Sequence, residues 1–460
     1  MNRQTVFVIA LVALSLRLLY LAVVFDGPAS LRAPDSLDYE NTAAGLLATG
    51  RMVTIAADGT THPNTERAPG YIGFLAAVRL VLGDAPLYAV LVQILLDTVT
   101  CLLVAWLAGF LNPRLALLAG VLAATNLDMI VHAATILGDS LFLLPLVAGM
   151  IAVARYQRRQ SFANAVAAGL LFGIAWLVRP ALIYFLPVLV AVFIVAAWRG
   201  RRPILPALGE ITALVAAVML LVGPLYYRNV REYGALAMTS QTGTHALNWV
   251  AALTYEYAKG MPRSEALAEM DSRLKADLAA RGRTALPKNP FAASAEMQAV
   301  ARKAMWDIGI GAWIKAWATG AAINLSAPAI VAAPPVRAMT RPSFYATPGV
   351  TVANKIWTYL AADPLFTLVI LPAGALTVLC RLLSLGAVVQ MRGRLAPAPT
   401  WFLIAVAVYF LAITGPVTGV KYRLPLEPTL DILLAAALVW LFDFWFQRGP
   451  RRARGRASQA

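Results

Sequence analysis

The chain has 460 residues, of which 60% are hydrophobic and only 13% are charged. Soluble globular proteins carry about 25% charged residues, so this composition excludes a soluble domain and predicts an all-α polytopic membrane protein. The 39 Lys and Arg residues outnumber the 23 Asp and Glu residues and give a net charge of +16. In a membrane protein this excess indicates basic inner loops and not nucleic-acid binding. Cys101 and Cys380 lie in apolar runs and predict neither a disulfide framework nor a metal site.

Ten apolar segments are predicted to be transmembrane helices, and the first of them is long enough to be a retained helix instead of a cleaved signal. In chain order they are residues 6–25, 86–109, 114–133, 139–154, 162–178, 181–198, 208–226, 365–385, 400–413 and 429–446. Arg17 in the first segment and Asp97 in the second fall near the same depth, which predicts a buried ion pair.

Four basic clusters indicate the orientation of these helices, because Lys and Arg near helix ends stay on the cytoplasmic side. They are residues 155–159, 199–202, Arg392 with Arg394, and the tail 448–456. All four fall on one side when both termini of a ten-helix chain are cytoplasmic, as we expect in a bacterial inner membrane. The same count makes residues 306–329 a helix in the outer interface, not a further span.

This topology divides the chain into four parts. Residues 1–226 form an N-terminal transmembrane module whose first outer loop is 26–85, and residues 227–362 form a long outer segment. Residues 363–446 contain the C-terminal helices, and 447–460 a basic cytoplasmic tail. In the outer segment, "SEALAEMDSRLKADLAARG" has apolar residues at helical spacing and predicts an amphipathic helix with Ser264 as its N-cap and Gly282 at its end.

The first outer loop contains three carboxylates in "RAPDSLDYE". If a helix begins here, Asp35 is its N-cap residue and Asp38 lies at N3, where the helix dipole also favours a carboxylate. Glu40 is expected to be an ordinary solvated helix residue. The alternative of a metal site has less support, because no third ligand of suitable type lies nearby in sequence.

Basic and polar residues recur at the outer ends of the other predicted helices. They are Arg67 and Tyr71 in "NTERAPGYIGFL", Asp139 in "ILGDSLFLLP", Arg179, Arg228, His245, and Lys421 with Arg423 in "GVKYRLPLEP". Each has a structural explanation, such as helix capping for Asp139 or interface anchoring for Arg179. Together they are what transfer from an anionic lipid carrier needs: cations for the carrier phosphate and a carboxylate as general base.

The order of these motifs, from "PDSLDYENTAAGLLATG" to "KYRLPLEPTLDILLAA", resembles the GT-C superfamily of integral-membrane glycosyltransferases. It is similar in particular to the bacterial branch that resembles protein O-mannosyltransferases and the lipid A aminoarabinose transferase. The resemblance implies Asp35 as catalytic base, with Asp38 as the competing candidate, and Asp139 assisting the site or a bound cation. It implies carrier-phosphate contacts by Arg67, Arg179, Arg228, Lys421 and Arg423, and Tyr39, Tyr71 and His245 are candidates for sugar or acceptor contacts.

The resemblance further implies a polyprenyl-phosphate sugar donor, surrounding membrane lipid, and a glycolipid, glycan or protein acceptor, with hexosyl or pentosyl transfer at the outer face. No cofactor is certain; some relatives bind a divalent metal and others need none, so metal dependence stays open. A transporter or flippase of lipid-linked sugars is the alternative. Transporters usually show internal repeats and charged sites at the membrane midplane, and no repeat is visible here. A third alternative is an inactive scaffold.

Overall fold

The structure is a computed structural model that describes residues 1–56, 58–339, 344–390, 393 and 395–457, without the side chains of residues 352, 390 and 447–457. Arg392, Arg394 and the side chains of the basic tail therefore lie outside the described residues. The chain is 80% helical, which confirms the predicted all-α polytopic membrane fold.

The N-terminal half contains ten α-helices and, within the described residues, the only strands. The helices are α1 Arg3–Val24, α2 Ser36–Thr49, α3 Pro69–Leu82, α4 Pro86–Leu111, α5 Ala116–Thr125, α6 Leu127–Ala133, α7 Gly138–Arg158, α8 Phe162–Val178, α9 Leu186–Arg199 and α10 Ile204–Tyr233. Strands β1 Val53–Ile55 and β2 Thr61–Pro63 pair antiparallel and form a hairpin between α2 and α3.

The C-terminal half contains eleven further α-helices within the described residues, from 4 to 31 residues long. They are α11 Gln241–Thr244, α12 Ala252–Lys259, α13 Arg263–Ala280, α14 Pro290–Ile308, α15 Ile310–Ser326, α16 Pro334–Arg337, α17 Val352–Ala361, α18 Pro364–Gln390, α19 Pro397–Thr414, α20 Val420–Arg423 and α21 Glu427–Ala457. Residues His245–Ala251, between α11 and α12, are π-helical.

All ten predicted transmembrane segments are helical, but they differ in length. Among the described residues, α1, α4, α7, α10, α18, α19 and Val420–Phe446 are long and apolar enough to cross a membrane. Pro113–Thr125 and Leu127–Ala133, bent by 53° at their break, form either a broken eighth span or a re-entrant loop. Helices α8 and α9 have 17 and 14 residues. At 1.5 Å per residue they reach about 25 and 21 Å, less than the ~30 Å of a bilayer core.

The ion pair predicted between Arg17 and Asp97 is present. Arg17 Nε lies 2.5 Å from Asp97 Oδ2, and both side chains have no exposed surface. Arg17 also donates to the carbonyls of Ala13 and Ala124, at 3.1 and 2.9 Å. The pair therefore joins α1, α4 and the end of α5 inside the bundle, with its hydrogen bonds satisfied as a buried charge requires.

Small residues allow the central helices to approach closely. A Cβ atom added to Gly169 of α8 would lie 2.4 Å from the carbonyl oxygen of Leu214 in α10. Only glycine fits at this crossing, and such small-residue contacts are the usual means by which membrane helices pack. Since Arg179 follows α8 and Arg228 lies in the last two turns of α10, this crossing helps to place the ends of the helices that carry these two arginines.

Two expectations concerned residues 227–362: an amphipathic helix with Ser264 as its N-cap, and a helix at residues 306–329 that does not span the membrane. The amphipathic helix exists as α13, but its N-cap is Pro262 and not Ser264, because the helix begins one residue before the serine. Its end was predicted correctly: Gly282 follows it with φ of +67°, a conformation that suits glycine. Residues 306–329 are divided between α14 and α15, and α15 is not among the candidate spans.

Candidate active site

A network of ion pairs joins residues 26–85 to the short helix α20. Asp35 Oδ1 accepts from Arg67 Nη2 at 3.0 Å, and Asp35 Oδ2 accepts from Lys421 Nζ at 3.1 Å. Arg67 also contacts Asp38, with 2.7 Å between Arg67 Nε and Asp38 Oδ2. We call Asp35, Asp38, Arg67 and Lys421 the Asp35 network. It joins three residues near the start of the chain to one residue near its end.

Asp35 stands at the N-cap position of α2, as the sequence predicts, but it does not cap the helix. Its side chain makes no hydrogen bond to the first turn of α2. The hydroxyl of Ser36 instead accepts from the backbone N–H of Ala33 at 2.8 Å and donates to the carbonyl of Ile136 at 2.7 Å. The carboxylate of Asp35 therefore makes no contact with the first turn of α2 and instead contacts the two cations, Arg67 and Lys421.

The protonation state of Asp35 follows from these contacts. Partial burial by itself would raise the pKa of its carboxyl, but the charges of Lys421 and Arg67 outweigh burial and hold that pKa below its usual value. The side chain remains 32% exposed, and that of Lys421 35% exposed. The carboxylate is therefore ionised at neutral pH and is accessible to a ligand.

Asp38 is held by the β1–β2 hairpin as well as by Arg67. Asn64 Nδ2 lies 3.1 Å from Asp38 Oδ1, and the hydroxyl of Thr54 approaches the same oxygen at 3.4 Å. Asn64 also accepts from the backbone N–H of Arg67 at 3.0 Å through its Oδ1 atom. One buried amide thus fixes both Asp38 and the chain that carries Arg67. Sequence reasoning missed Asn64, and its position beside Arg67 was the only signal.

A second ion pair lies close to the network. Arg179, which follows α8, is paired with Asp139 in the first turn of α7. The positive charge of Arg179 is close enough to influence the pKa of Tyr39 and of His245, and the negative charge of Asp139 influences the pKa of Tyr39. The predicted outer residues of α7 and α8 therefore face the same region as the Asp35 network.

The relative position of these two ion pairs is set by backbone packing. Ile136 donates its N–H to the carbonyl of Leu31 at 2.9 Å, which ties the chain before α7 to the chain before α2. A Cβ atom on Gly70, at the start of α3, would lie 2.7 Å from the backbone of Leu177 and Val178. The start of α3, just after Arg67, is thereby pressed against the end of α8, just before Arg179.

The tyrosines of the first loop have different roles. The Arg67 guanidinium lies 5.0 Å from the ring centre of Tyr39, a cation–π distance. Tyr39 in turn meets Tyr71 edge to face at 5.1 Å. Tyr71 is fully buried and donates its hydroxyl to Gln93 Oε1 at 2.6 Å, so it supports Tyr39 and has no surface for a substrate.

Lys421 is held in place by its neighbours on both sides. Before it, Asn324 of α15 donates to the carbonyl of Val417 at 2.9 Å and accepts from the N–H of Gly419 at 3.0 Å. After it, Arg423 is 1% exposed and paired with Asp128 at 2.9 Å and Glu427 at 2.7 Å. Arg423 is thus occupied in a buried network and has almost no exposed surface for a carrier phosphate.

The remaining predicted residues lie around this region. The guanidinium of Arg228 hydrogen-bonds Asn229 and reaches Met52 Sδ at 4.0 Å, beside the hairpin. His245 begins the π-helical turn; burial, Lys421 and Arg179 together lower its pKa below the usual value, so it is neutral at neutral pH. Glu40 corrects an expectation: it is 4% exposed and paired with Arg32 at 2.7 Å, so it is not solvated.

Sequence reasoning also missed a buried group of charged residues next to Arg423. Asn126 donates to Glu427 at 2.8 Å and to Asp431 at 3.1 Å, while Arg381 contacts Glu427 at 2.6 Å. Charged residues within apolar segments were the available signal. In the part of the chain that the structure describes, no group of three or more His, Cys, Asp or Glu side chains has the arrangement of a metal site.

Comparison with known proteins places this arrangement in context. Residues 83–231, roughly a third of the chain, match the family model described as dolichyl-phosphate-mannose-protein mannosyltransferase. This range contains Asp139, Arg179 and Arg228 but neither Asp35 nor Lys421. A search of curated proteins found no match.

Several solved structures are similar to the chain. AglB, the oligosaccharyltransferase of Archaeoglobus fulgidus, was solved in complex with an inhibitory peptide and a dolichol-phosphate; it is 13% identical with a TM-score of 0.54, over 99% of this chain and 51% of AglB. Its apo form is 14% identical with a TM-score of 0.54, over 99% and 52%. ArnT from Cupriavidus metallidurans in the apo state is 16% identical with a TM-score of 0.40, over 94% and 76%.

This chain spans about half the length of the AglB chains that it matches. The helix arrangement and the AglB matches together show that this chain shares its fold with that oligosaccharyltransferase. It is the GT-C fold, and the resemblance found in the order of the sequence motifs is confirmed.

Proposed function

We propose that this protein is a glycosyltransferase that moves a hexosyl or pentosyl group from a polyprenyl-phosphate donor to a hydroxyl acceptor. The reaction takes place at the outer face of the bacterial inner membrane, and Asp35 is the general base. The observation that carries the proposal is the position of the Asp35 carboxylate between Arg67 and Lys421, two cations of which one is a third exposed. The dolichol-phosphate bound by AglB supports a lipid-phosphate ligand.

The geometry supports a direct displacement. The acceptor hydroxyl loses its proton to Asp35 as its oxygen bonds to the anomeric carbon of the sugar. The bond between that carbon and the phosphate oxygen breaks, and polyprenyl phosphate leaves with the electron pair. Each carboxylate oxygen of Asp35 accepts one hydrogen bond and retains a further lone pair for the proton. The configuration at the anomeric carbon is inverted.

The cations serve the leaving group. Phosphate departs with its negative charge, and an arginine and a lysine placed beforehand stabilise that charge without reorganisation. Arg67 is fixed by Asp38, Asn64 and the Tyr39 ring, so it presents a rigid donor pair. The pair Arg179–Asp139 adds a third cation nearby. Because the phosphate is a good leaving group, no catalytic acid is required.

The alternative function is transport of a lipid-linked sugar across the membrane. Buried charges inside the bundle, such as Arg17 with Asp97, are the feature that favours it. These charges are fully paired and without exposed surface, whereas the Asp35 network is accessible. The accessible carboxylate and cations therefore favour transfer.

Purified protein in vesicles distinguishes the two functions. Vesicles receive a radiolabelled polyprenyl-phosphate sugar and an extract of envelope lipids and glycans. We expect the label on a new, chemically distinct product and the release of polyprenyl phosphate. Label that crosses the bilayer while still attached to its polyprenyl phosphate would instead establish transport and refute the proposal.

A further inference from the structure

A cavity opens between α9 and α19 at the end of the bundle opposite the Asp35 network. Helix α7 begins beside Asp139 and α8 ends beside Arg179, so their connection at residues 159–161 lies at the far end. Helix α9 runs to the same far end, where it finishes at Arg199. The cavity has a volume of about 500 Å³ and is lined by residues from α7, α9, α19 and the chain after α7. It is separate from the proposed active site.

The cavity has a mostly apolar lining, and we call it the wedge. Near the outer end the two helices meet: the rings of Phe185 and Tyr409 lie 4.9 Å apart, and the Tyr409 hydroxyl donates to the carbonyl of Ala181 at 2.6 Å. Toward the far end both helices line the cavity. One face of α9 and one face of α19 line it, with Val188, Val192 and Val195 opposite Trp401 and Phe402.

The length of the wedge matches one leaflet of a bilayer. From Val188 to Arg199 is 11 residues of α9, or about 17 Å at 1.5 Å per residue. Half of the ~30 Å hydrocarbon core is about 15 Å. An acyl chain of the leaflet at this end would therefore fill the wedge and bring its headgroup to the level of Arg199.

The end of the wedge at Arg199 is positively charged. Arg199 also lines an adjoining cavity of about 490 Å³ together with Trp198, Arg201 and Arg202. Arg202 is paired with Glu210 at 2.6 Å, whereas no ion pair of Arg199 or Arg201 is found among the described residues. Guanidinium groups bind phosphate by paired hydrogen bonds, and a tryptophan exposed at this level is typical of a membrane interface.

A buried acceptor lies in the same place. Gln157, in the last turn of α7, lines the wedge, and its Oε1 atom is buried with no hydrogen-bond donor among the described residues. An unpaired buried acceptor is costly and is normally satisfied by a partner. A headgroup hydroxyl or ammonium would supply the missing donor.

We propose that this wedge binds an anionic glycerophospholipid from the leaflet at the basic end of the bundle. One acyl chain lies between α9 and α19, the phosphate contacts Arg199 and Arg201, and a headgroup donor faces Gln157. The lipid fills the separation between the two helices and so joins α19 to the rest of the bundle. This site is distinct from that of the polyprenyl-phosphate donor and does not depend on the proposed function.

Native mass spectrometry of the full chain in detergent tests the site, with phosphatidylglycerol and phosphatidylcholine as probes. We expect the protein to retain phosphatidylglycerol in preference. The variant with Arg199→Gln and Arg201→Gln should bind it about thirty-fold more weakly, because each arginine near an anionic headgroup contributes roughly a five-fold effect. Arg159→Gln, which removes an exposed arginine at the same end outside the wedge, is the matched control and should bind normally.

A second variant tests the apolar part of the site. Ala191→Trp places an indole in the wedge from α9, where the side chain is exposed. Phosphatidylglycerol should raise the melting temperature of the wild type and of Arg159→Gln but not that of Ala191→Trp. The proposal is overturned if phosphatidylcholine binds equally well, if Arg159→Gln weakens binding as much as the double variant, or if polyprenyl phosphate displaces phosphatidylglycerol from the wedge.

Discussion

Asp35 and Lys421 stand 386 residues apart in the chain, and 3.1 Å separates Asp35 Oδ2 from Lys421 Nζ. The contact closes the bundle at one end, because it joins the loop after α1 to the short helix α20 before α21. It also determines what the carboxylate can do. A lysine and an arginine keep Asp35 ionised, and the same two cations are available to a phosphate.

Asp35→Asn should abolish transfer while the protein remains folded and inserted. The amide cannot accept the proton of the acceptor, and a positioned general base contributes about 10²–10⁴-fold to rate. We expect kcat to fall by this factor with little change in melting temperature, since Asp35 is partly exposed. Asp26→Asn, an exposed acid at the start of the same loop, is the control. Full activity of Asp35→Asn refutes its catalytic role.

The activity should persist into mild acid. Lys421 and Arg67 hold the pKa of Asp35 below the ordinary aspartate pKa of 3.8. The carboxylate is therefore ionised at pH values above 3.8, and it becomes protonated only as the pH falls below that value. The pH–rate profile should therefore show no acid limb from Asp35 above pH 3.8. In Lys421→Met, one lowering charge is gone, so the acid limb should move upward. An acid limb that stays in place in this variant contradicts the assignment.

Lys421→Met should impair donor binding more than the chemistry of an already bound donor. Removal of a phosphate contact should raise KM for the polyprenyl-phosphate sugar, and a charged hydrogen bond of about 1.5–3 kcal/mol corresponds to roughly ten- to a hundred-fold. Lys421→Arg retains the charge and should restore part of the affinity. Lys275→Met on α13, whose lysine is 75% exposed, should leave KM unchanged. An unchanged KM in Lys421→Met would exclude a phosphate contact.

Arg423 should act by holding Lys421 in position. Its guanidinium joins Asp128, Glu427 and the carbonyls of Asn324 and Ala327, a set that the single ammonium group of a lysine cannot reproduce. Arg423→Lys should therefore lower the melting temperature and also reduce transfer. We expect exogenous donor at saturating concentration to restore part of the rate, because Lys421 is displaced and not removed. Normal stability and KM in this variant would remove the positioning role.

The buried pair Arg17–Asp97 gives a test of stability alone. Arg17→Leu leaves the Asp97 charge buried without its partner and should cost about 3–5 kcal/mol. The double variant, Arg17→Leu with Asp97→Leu, should recover much of this loss, because it removes both buried charges. Thermal unfolding in detergent measures both. A double variant that is less stable than Arg17→Leu would show that the pair is needed as such.

The N-cap prediction at Asp35 shows both the reach and the limit of sequence reasoning. The position of Asp35 before the first turn of α2 was predicted correctly from the local pattern. Its side chain, however, makes no cap, because Ser36 bonds the neighbouring backbone and distant cations draw the carboxylate away. Local sequence predicts where a residue lies relative to a helix. It cannot predict whether the side chain will cap that helix or pair with a distant residue such as Lys421 on α20.

Glu40 and Arg423 show the same limit in reverse. Glu40 looked like a solvated helix residue and is buried against Arg32, while Arg423 looked like a phosphate ligand and is buried against Asp128. Neither outcome can be predicted from spacing, because each depends on which helices become neighbours. Asn64 escaped notice for the same reason, since its five side-chain hydrogen bonds join α2, the hairpin and the chain before α3.

The sequence by itself determined the helical class, the order of the apolar segments and the types of residue at the helix ends around the candidate site. These properties depend on hydropathy and on short-range spacing, which are local. Only the tertiary structure decided which carboxylate meets which cation and which charges are buried in pairs. Those outcomes depend on the energy of burying each charge, and that energy is set by partners far away in the chain.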